Sequence, residues 1–524
     1  MKHIVFCLIL FFASCIIASA QWVPDLGNGN YKNPVIFADY SDPDVIRVDD
    51  HFYMVASSFN CIPGIPVLHS RDLVNWKIIG HVYDRLPLEK YEKPVHGQGS
   101  WAPSIRYHNG LFYVYFCTPH DGLFMATAKD PAGEWELQFV EAVELWEDPC
   151  PLWDDDGNAY LVRSKLRADI IYIHRMSPDG KKILDNGKII YNDISKQPVI
   201  EGPKVIKKDG YYYILAPAGG VPAGWQTVLR SKNIYGPYKD KIVLHQGNTD
   251  INGPHQGGLI ELKSGEWWFL HFQDNGTYGR IVHMQPVEWK DGWPYIGKDI
   301  NNDGVGEPVS EYKKPDIGKF YPVTAPQTSD EFNKSELGMQ WQWHANPEEE
   351  WYSLTDSPGN IRLYSVKNYT QNGNFWFVPN LLLQKFPAPS FTVTTKITFN
   401  PDKLNEKSGL VIMGRKWAFL AFTETEKGLE IGMYTGSYFQ GSDQTEKIES
   451  VLAEKNSCYL RVRVDDRAVC TFSYSFGGTE FKPIGKEFTA AAGVWIGAKV
   501  GLFSINPNIN ESKGYADFNW LRIE

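Results

Sequence analysis

One phrase recurs five times between Ser41 and Phe272, and it restricts the fold more than any other feature of the chain. Each copy starts beside a proline, runs through a hydrophobic strand, turns tightly and returns as an aromatic-rich strand. The copies read SDPDVIRVDDHFYMVA from Ser41, WAPSIRYHNGLFYVYF from Trp101 and EDPCPLWDDDGNAYLV from Glu147, then EGPKVIKKDGYYYILA from Glu201 and GPHQGGLIELKSGEWWFLHF from Gly253. The turn residues Asp50, Gly110, Gly157, Gly210 and Gly265 fall 47 to 60 residues apart. A hairpin repeated at about 50 residues predicts a propeller, here with five blades. Shorter echoes around Asp72, Asp130, Asp179 and Asn233 lie between the main phrases and read as one outer-strand hairpin per blade.

The heads of the phrases carry the chemistry. The first strand of each propeller blade lines the central channel, so equivalent head positions converge although they lie far apart in sequence. Asp42, Asp148 and Glu201 hold nearly equivalent places, one or two residues before the proline, while Trp101 and His255 head the other two copies. Three acids converging without a basic cluster are electrostatically costly, so a reaction or a metal has to account for them. Glycoside hydrolysis needs such a set: one carboxyl protonated to donate to the leaving oxygen, another ionised to activate water or attack carbon. A third acid can raise the donor's pKa by like-charge coupling. Calcium is the metal alternative, although it usually draws its ligands from one loop or from several carbonyls. Asp44 is read as a loop-fixing residue, and Asp49, Asp50 and Asp154 to Asp156 as turn residues.

At 524 residues the chain is too long for one ordinary core. The propeller phrase ends near Trp293, and a proline-rich stretch follows. From Asp330 onward the alternation is that of a β-sandwich of the concanavalin or jelly-roll kind. The expected organisation is all-β: a signal peptide at 1–20, a five-bladed propeller at 21–325 and a sandwich at 326–524. The start has a basic n-region, an apolar run and Ala18-Ser19-Ala20 before Gln21, which reads as a cleavable leader for periplasmic or secreted export. Cys15 leaves a lipoprotein as the alternative. A net charge of −10 without a basic stripe argues against nucleic acid. No membrane insertion of the mature chain is expected. Five cysteines remain after the leader, with no C-x-x-C pair, and read as buried free thiols rather than a disulfide framework. The segment Asp299 to Gly304 resembles half of a calcium loop but is read as an Asx-rich turn.

Taken together, SDPDVI, IPGIPVLHSRDLVNW, SWAPSI, DPCPLWDDDG, EGPKV and VEWKDGWPYIG resemble glycoside hydrolase family 43. The resemblance extends over nearly the whole mature chain, including the sandwich of its β-xylosidase and α-L-arabinofuranosidase members. It implies an inverting mechanism in which Asp42 matches the general base, Glu201 the general acid, and Asp148 the acid that tunes the donor's pKa and orients substrate. Such a pair stands roughly 6.5–9.5 Å apart, leaving room for water. Arg280 matches a substrate-contacting arginine. Trp101 is expected to offer a face to the sugar. His255 is left open between a ligand of water, cation or sugar and a buried structural residue. Phe59, Asn60, Cys61 and Ile62 are expected to shape the pocket rim, where related xylosidases carry bulky aromatics, so the rim leaves space for an arabinofuranosyl ring. The stretch from Leu502 to Asn510 is the candidate closing loop. The expectation is therefore an exo-acting, inverting hydrolase of terminal α-L-arabinofuranosyl residues on an oligosaccharide or polysaccharide. An exo-β-1,4-xylosidase, dual activity and a non-catalytic carbohydrate-binding propeller are the alternatives. No cofactor is required by this reading; a structural calcium ion is left open, and so is the oligomeric state.

Overall fold

The structure, a computed structural model, describes residues 21–367, 373–438, 445–508 and 510–524. The expected leader at 1–20, with Cys15, lies outside the described residues. Five four-stranded antiparallel sheets follow one another in chain order. Their first strands are Asp44–Val48, Trp101–His108, Trp146–Trp153, Lys204–Lys208 and His255–Glu261. These strands pack around a common axis, with blade five against blade one. The turns Asp50, Gly110, Gly157, Gly210 and Gly265 each join a first strand to a second. The echoes around Asp72, Asp130, Asp179 and Asn233 join third strands to fourth, so the five-bladed reading holds in detail.

Each blade buries an apolar face against its neighbour, and a separate cluster fills each gap. Val114 and Phe116 pack with Val55 and Val67 between blades one and two, and Ile173 and Ile214 meet between three and four. The ring is closed by the N-terminal segment, where Ile36 and Val282 of blade five exchange backbone hydrogen bonds of 3.2 and 3.1 Å.

The C-terminal part is a sandwich of two eight-stranded sheets. Strands such as Ser457–Val464 alternate buried positions with half-buried or exposed ones, as a sheet with one covered face requires. Leu410, Leu420 and Ile431 of one sheet meet Ile397, Leu460 and Phe518 of the other in the core. The cysteines at 61, 117, 150, 458 and 470 are free and buried. Asp299 accepts hydrogen bonds from the backbone N–H groups of Asp303 and Gly304, the geometry of an Asx-rich turn. Among the described residues no helix is long and apolar enough to cross a membrane.

The sandwich docks on the propeller through polar backbone contacts as well as apolar ones. Tyr278 of blade five donates to the carbonyls of Pro389 and Asp465, at 2.6 and 2.9 Å. Ile62 N donates to Trp343 O at 3.0 Å, and Asn60 Nδ2 to His344 O at 2.8 Å. Phe37 and Tyr278 belong to the same apolar cluster as the sandwich core.

Candidate active site

The five phrase heads form two tiers around the axis. The residue just before the proline, or before Gly257 in blade five, has a left-handed backbone in every blade. Its φ is 56° at Asp42, 32° at Ala102, 55° at Asp148, 57° at Gly202 and 52° at Gln256. The residue one step earlier is Ser41, Trp101, Glu147, Glu201 or His255. A non-glycine residue with positive φ costs on the order of 1–3 kcal/mol and persists only where its surroundings impose it. Here the imposing contacts are visible: Ala102 N donates to Ser57 Oγ at 2.7 Å, Gly202 N to Asp148 Oδ2 at 2.8 Å and Gln256 N to Gln226 Oε1 at 3.1 Å.

One cavity is lined by Asp42, Asp148 and Glu201 together with Trp101, Arg280 and Phe59. The Asp42 carboxylate, 4% exposed, accepts from Ser41 Oγ at 2.9 Å, Ser57 Oγ at 2.6 Å and Arg280 Nη1 at 2.8 Å. Asp148 accepts from Ser164 Oγ at 3.2 Å and from the Gly202 N–H, so it grips the backbone immediately after Glu201. Burial raises the Asp148 carboxyl, and the charges of Glu201 and Asp42 raise it further; Lys204 and the Gly202 N–H oppose them. Lys204 is itself buried, donating to Pro103 O and Ser104 Oγ. The acids therefore do have basic company: Arg280 reaches Asp42 from blade five.

The second domain completes the cavity. Trp495, half-exposed, sets its indole edge-to-face with Trp101 at 6.1 Å and lies 5.6 Å from the Arg280 guanidinium. Its φ is 63°, a strained conformation for so bulky a residue. Asp39 locks it in place, accepting from Gly497 N at 3.0 Å through one oxygen and from Arg280 N at 2.9 Å through the other. One buried carboxylate thus registers the sandwich loop against the arginine that holds Asp42. Gly497 is required by this approach, since a Cβ there would stand 2.7 Å from the backbone of Tyr278 and Gly279. Gly497→Ala is expected to push the loop outward and raise KM several-fold with kcat nearly unchanged, as steady-state kinetics would read.

Several sequence expectations land elsewhere. Asn60 and Ile62 lie in the domain interface, because the blade-one loop crosses to the sandwich immediately after Phe59. Cys61 is buried there too, accepting from Lys499 Nζ at 3.0 Å. His255 is fully buried behind the cavity wall; its Nδ1 is 2.9 Å from Gly253 O, and its Nε2 is 3.8 Å from Glu201 Oε1. Its neighbour Gln256 lines the cavity instead. Leu502 to Asn506 belong to a buried strand of the sandwich and close nothing; Ile509 lies outside the described residues. The closing segment is the one around Trp495. Sequence reasoning also missed Glu147, Asp39 and Gln256. Only the position of Glu147 beside Asp148 in the repeat was a readable signal. Among the described residues no group of three or more His, Cys, Asp or Glu side chains is arranged to hold a metal ion.

Comparison with known proteins agrees with this geometry. Residues 31–294 match the model of glycosyl hydrolases family 43, and residues 329–524 match that of the β-xylosidase C-terminal concanavalin A-like domain. A putative β-xylosidase of Xylanibacter ruminicola is 42% identical over 92% of this chain and 87% of its own length. A non-reducing end α-L-arabinofuranosidase of Bacteroides ovatus, BoGH43B, is 32% identical over 76% of each chain. The crystal structure of BlXynB from Bacillus licheniformis superimposes with a TM-score of 0.81 at 27% identity, over 94% of this chain and 99% of that one. A propeller whose channel gathers these acids, capped by this sandwich, makes the chain a carbohydrate-cleaving enzyme that belongs to glycoside hydrolase family 43.

Proposed function

We propose that the chain is an exo-acting, inverting glycosidase that removes one terminal pentose at a time from hemicellulose chains or oligosaccharides, with β-D-xylose preferred. The observation that carries this reading is the half-open cavity lined by the acids, by Phe59 and Trp101, and by Trp495 brought in by the second domain. A polymer running through an endo-acting site needs an open cleft, whereas this cavity suits a chain end.

In the proposed reaction Asp42, fixed by Ser41, Ser57 and Arg280, takes the proton of a water that attacks the anomeric carbon. Glu201 donates its proton to the departing glycosidic oxygen. Asp148 positions that donor through the Gly202 N–H and sets the local charge. Arg280 presents its remaining donors to the sugar.

The expectation of an arabinofuranose preference rested on a roomy rim at Phe59 to Ile62. Phe59 does line the cavity, but Asn60 to Ile62 lie in the domain interface, so aromatic rings, Phe59 with Trp101 and Trp495, set the rim. The 42% identical relative named a β-xylosidase supports xylose. The Bacteroides ovatus relative supports arabinofuranose as the second reading. Hydrolysis of aryl β-D-xyloside and aryl α-L-arabinofuranoside tests the choice. The ratio kcat/KM is expected to favour the xyloside at least about tenfold, a difference of about 1.4 kcal/mol in transition-state binding. A reversed ratio returns the arabinofuranosidase reading, and turnover of neither substrate defeats both. Trp495→Ala is expected to raise KM about tenfold for the preferred glycoside, the order of one lost aromatic contact.

A further inference from the structure

The cavity contains a fourth acid, Glu147, whose place follows from the repeat itself. Glu147 stands in blade three where Glu201 stands in blade four: both are followed by a residue of positive φ and then by proline. Neighbouring residues of a regular strand point to opposite faces. Here the left-handed backbone at Asp148, and a register shift between Glu147 and Cys150 against the second strand, break that alternation. Both adjacent carboxyls consequently line the same cavity, Glu147 at 4% and Asp148 at 5% exposure.

The surroundings of Glu147 do not favour a charge. Burial raises its carboxyl strongly, and the nearby charges of Asp148 and Glu201 add to this. A side-chain hydrogen bond from Ser164 and the charge of Arg163 oppose them without outweighing them. The Arg163 guanidinium stacks on Trp146 and Tyr172 at 3.9 and 4.1 Å and donates to His174 at 3.0 Å rather than to Glu147. A protonated carboxyl offers one O–H donor. The Asp42 carboxylate in the same cavity accepts hydrogen bonds, so a donor at Glu147 supplies what it lacks.

We infer that Glu147 is a further substrate-binding residue of the pocket, one that donates a hydrogen bond to a hydroxyl of the terminal pentose and thereby selects for it. This inference rests on the proposed pentosidase reading. The probes are D-xylose and its 2-, 3- and 4-deoxy analogues as competitive inhibitors of aryl xyloside hydrolysis. Glu147→Leu is expected to weaken xylose binding about 10- to 100-fold, the effect of leaving a buried hydroxyl without its partner. For one deoxy analogue, the one lacking the contacted hydroxyl, wild type and variant should bind alike. A merely structural role would not single out one hydroxyl. Equal binding of xylose by wild type and Glu147→Leu overturns the inference, and so does an equal loss for every analogue.

Glu147→Gln supplies an independent measurement should the leucine variant fold poorly. Below about pH 4 a glutamate is protonated in both the folded and the unfolded chain, so it has no effect on pH-dependent stability. As pH rises, the unfolded chain releases that proton while the folded site resists, and wild type loses stability. The Gln variant escapes this loss. Its melting temperature should exceed that of wild type at pH 8 by about 2 °C or more and match it at pH 4. No gain at pH 8 means that Glu147 is ionised in the fold and cannot donate, which overturns the inference. Wild-type turnover of neither pentoside would instead defeat the pentosidase reading on which the inference rests.

Discussion

Glu201→Gln is expected to lower kcat on xylo-oligosaccharides by about 10³–10⁴-fold while leaving KM within a few-fold of wild type. The amide keeps the size of the side chain and its place beside His255, 3.8 Å away, but has no proton to give at the required acidity. The loss should depend on the leaving group. A sugar alkoxide departs only with a proton, whereas a nitrophenolate leaves with little assistance. The same variant should therefore lose about 10²-fold less on a nitrophenyl xyloside than on xylobiose. Equal losses on both substrates would contradict the assignment of Glu201 as the acid.

Asp42→Asn should reduce kcat by a similar factor of about 10³–10⁴, but equally for both leaving groups, because the base acts on water rather than on the departing oxygen. The fold should respond as well. Arg280 and Asp42 are both buried and paired at 2.8 Å, and removing one charge of such a pair costs about 3–5 kcal/mol when the other remains. Asparagine still accepts hydrogen bonds, so its melting temperature should fall less than that of Asp42→Ala. Thermal melts of the two variants, alongside the two-substrate kinetics, separate the chemical loss from the structural one.

The propeller was legible because it repeats: hydrophobic alternation, a glycine or aspartate turn and a proline recur at a spacing that only blades explain. The acids were legible for the same reason, since equivalent positions in a closed ring must meet. Two features concealed the rest. The positive φ at Asp148 and the irregular register beside it turn Glu147 toward the channel, against the period-2 expectation that sends it outward. The cap comes from another domain, where Trp495 sits in a strained loop without local pattern and depends on Asp39, more than 450 positions earlier in the chain. Asn60 and Ile62 were misplaced by the same long-range contact, because a rim loop read in isolation does not reveal a neighbouring domain beneath it. The segment from Leu502 onward has the alternation of a core strand as well as polar residues at its end, and the strand prevails.

The stereochemistry of the first product tests the central claim most directly. Proton NMR recorded during the first minutes of aryl β-D-xyloside hydrolysis, before mutarotation, should show α-D-xylose appearing first. That is the outcome when Asp42 activates a water on the face opposite the leaving group while Glu201 protonates it. Appearance of β-D-xylose first would mean that a carboxylate attacks carbon directly, and would contradict the roles assigned to Asp42 and Glu201.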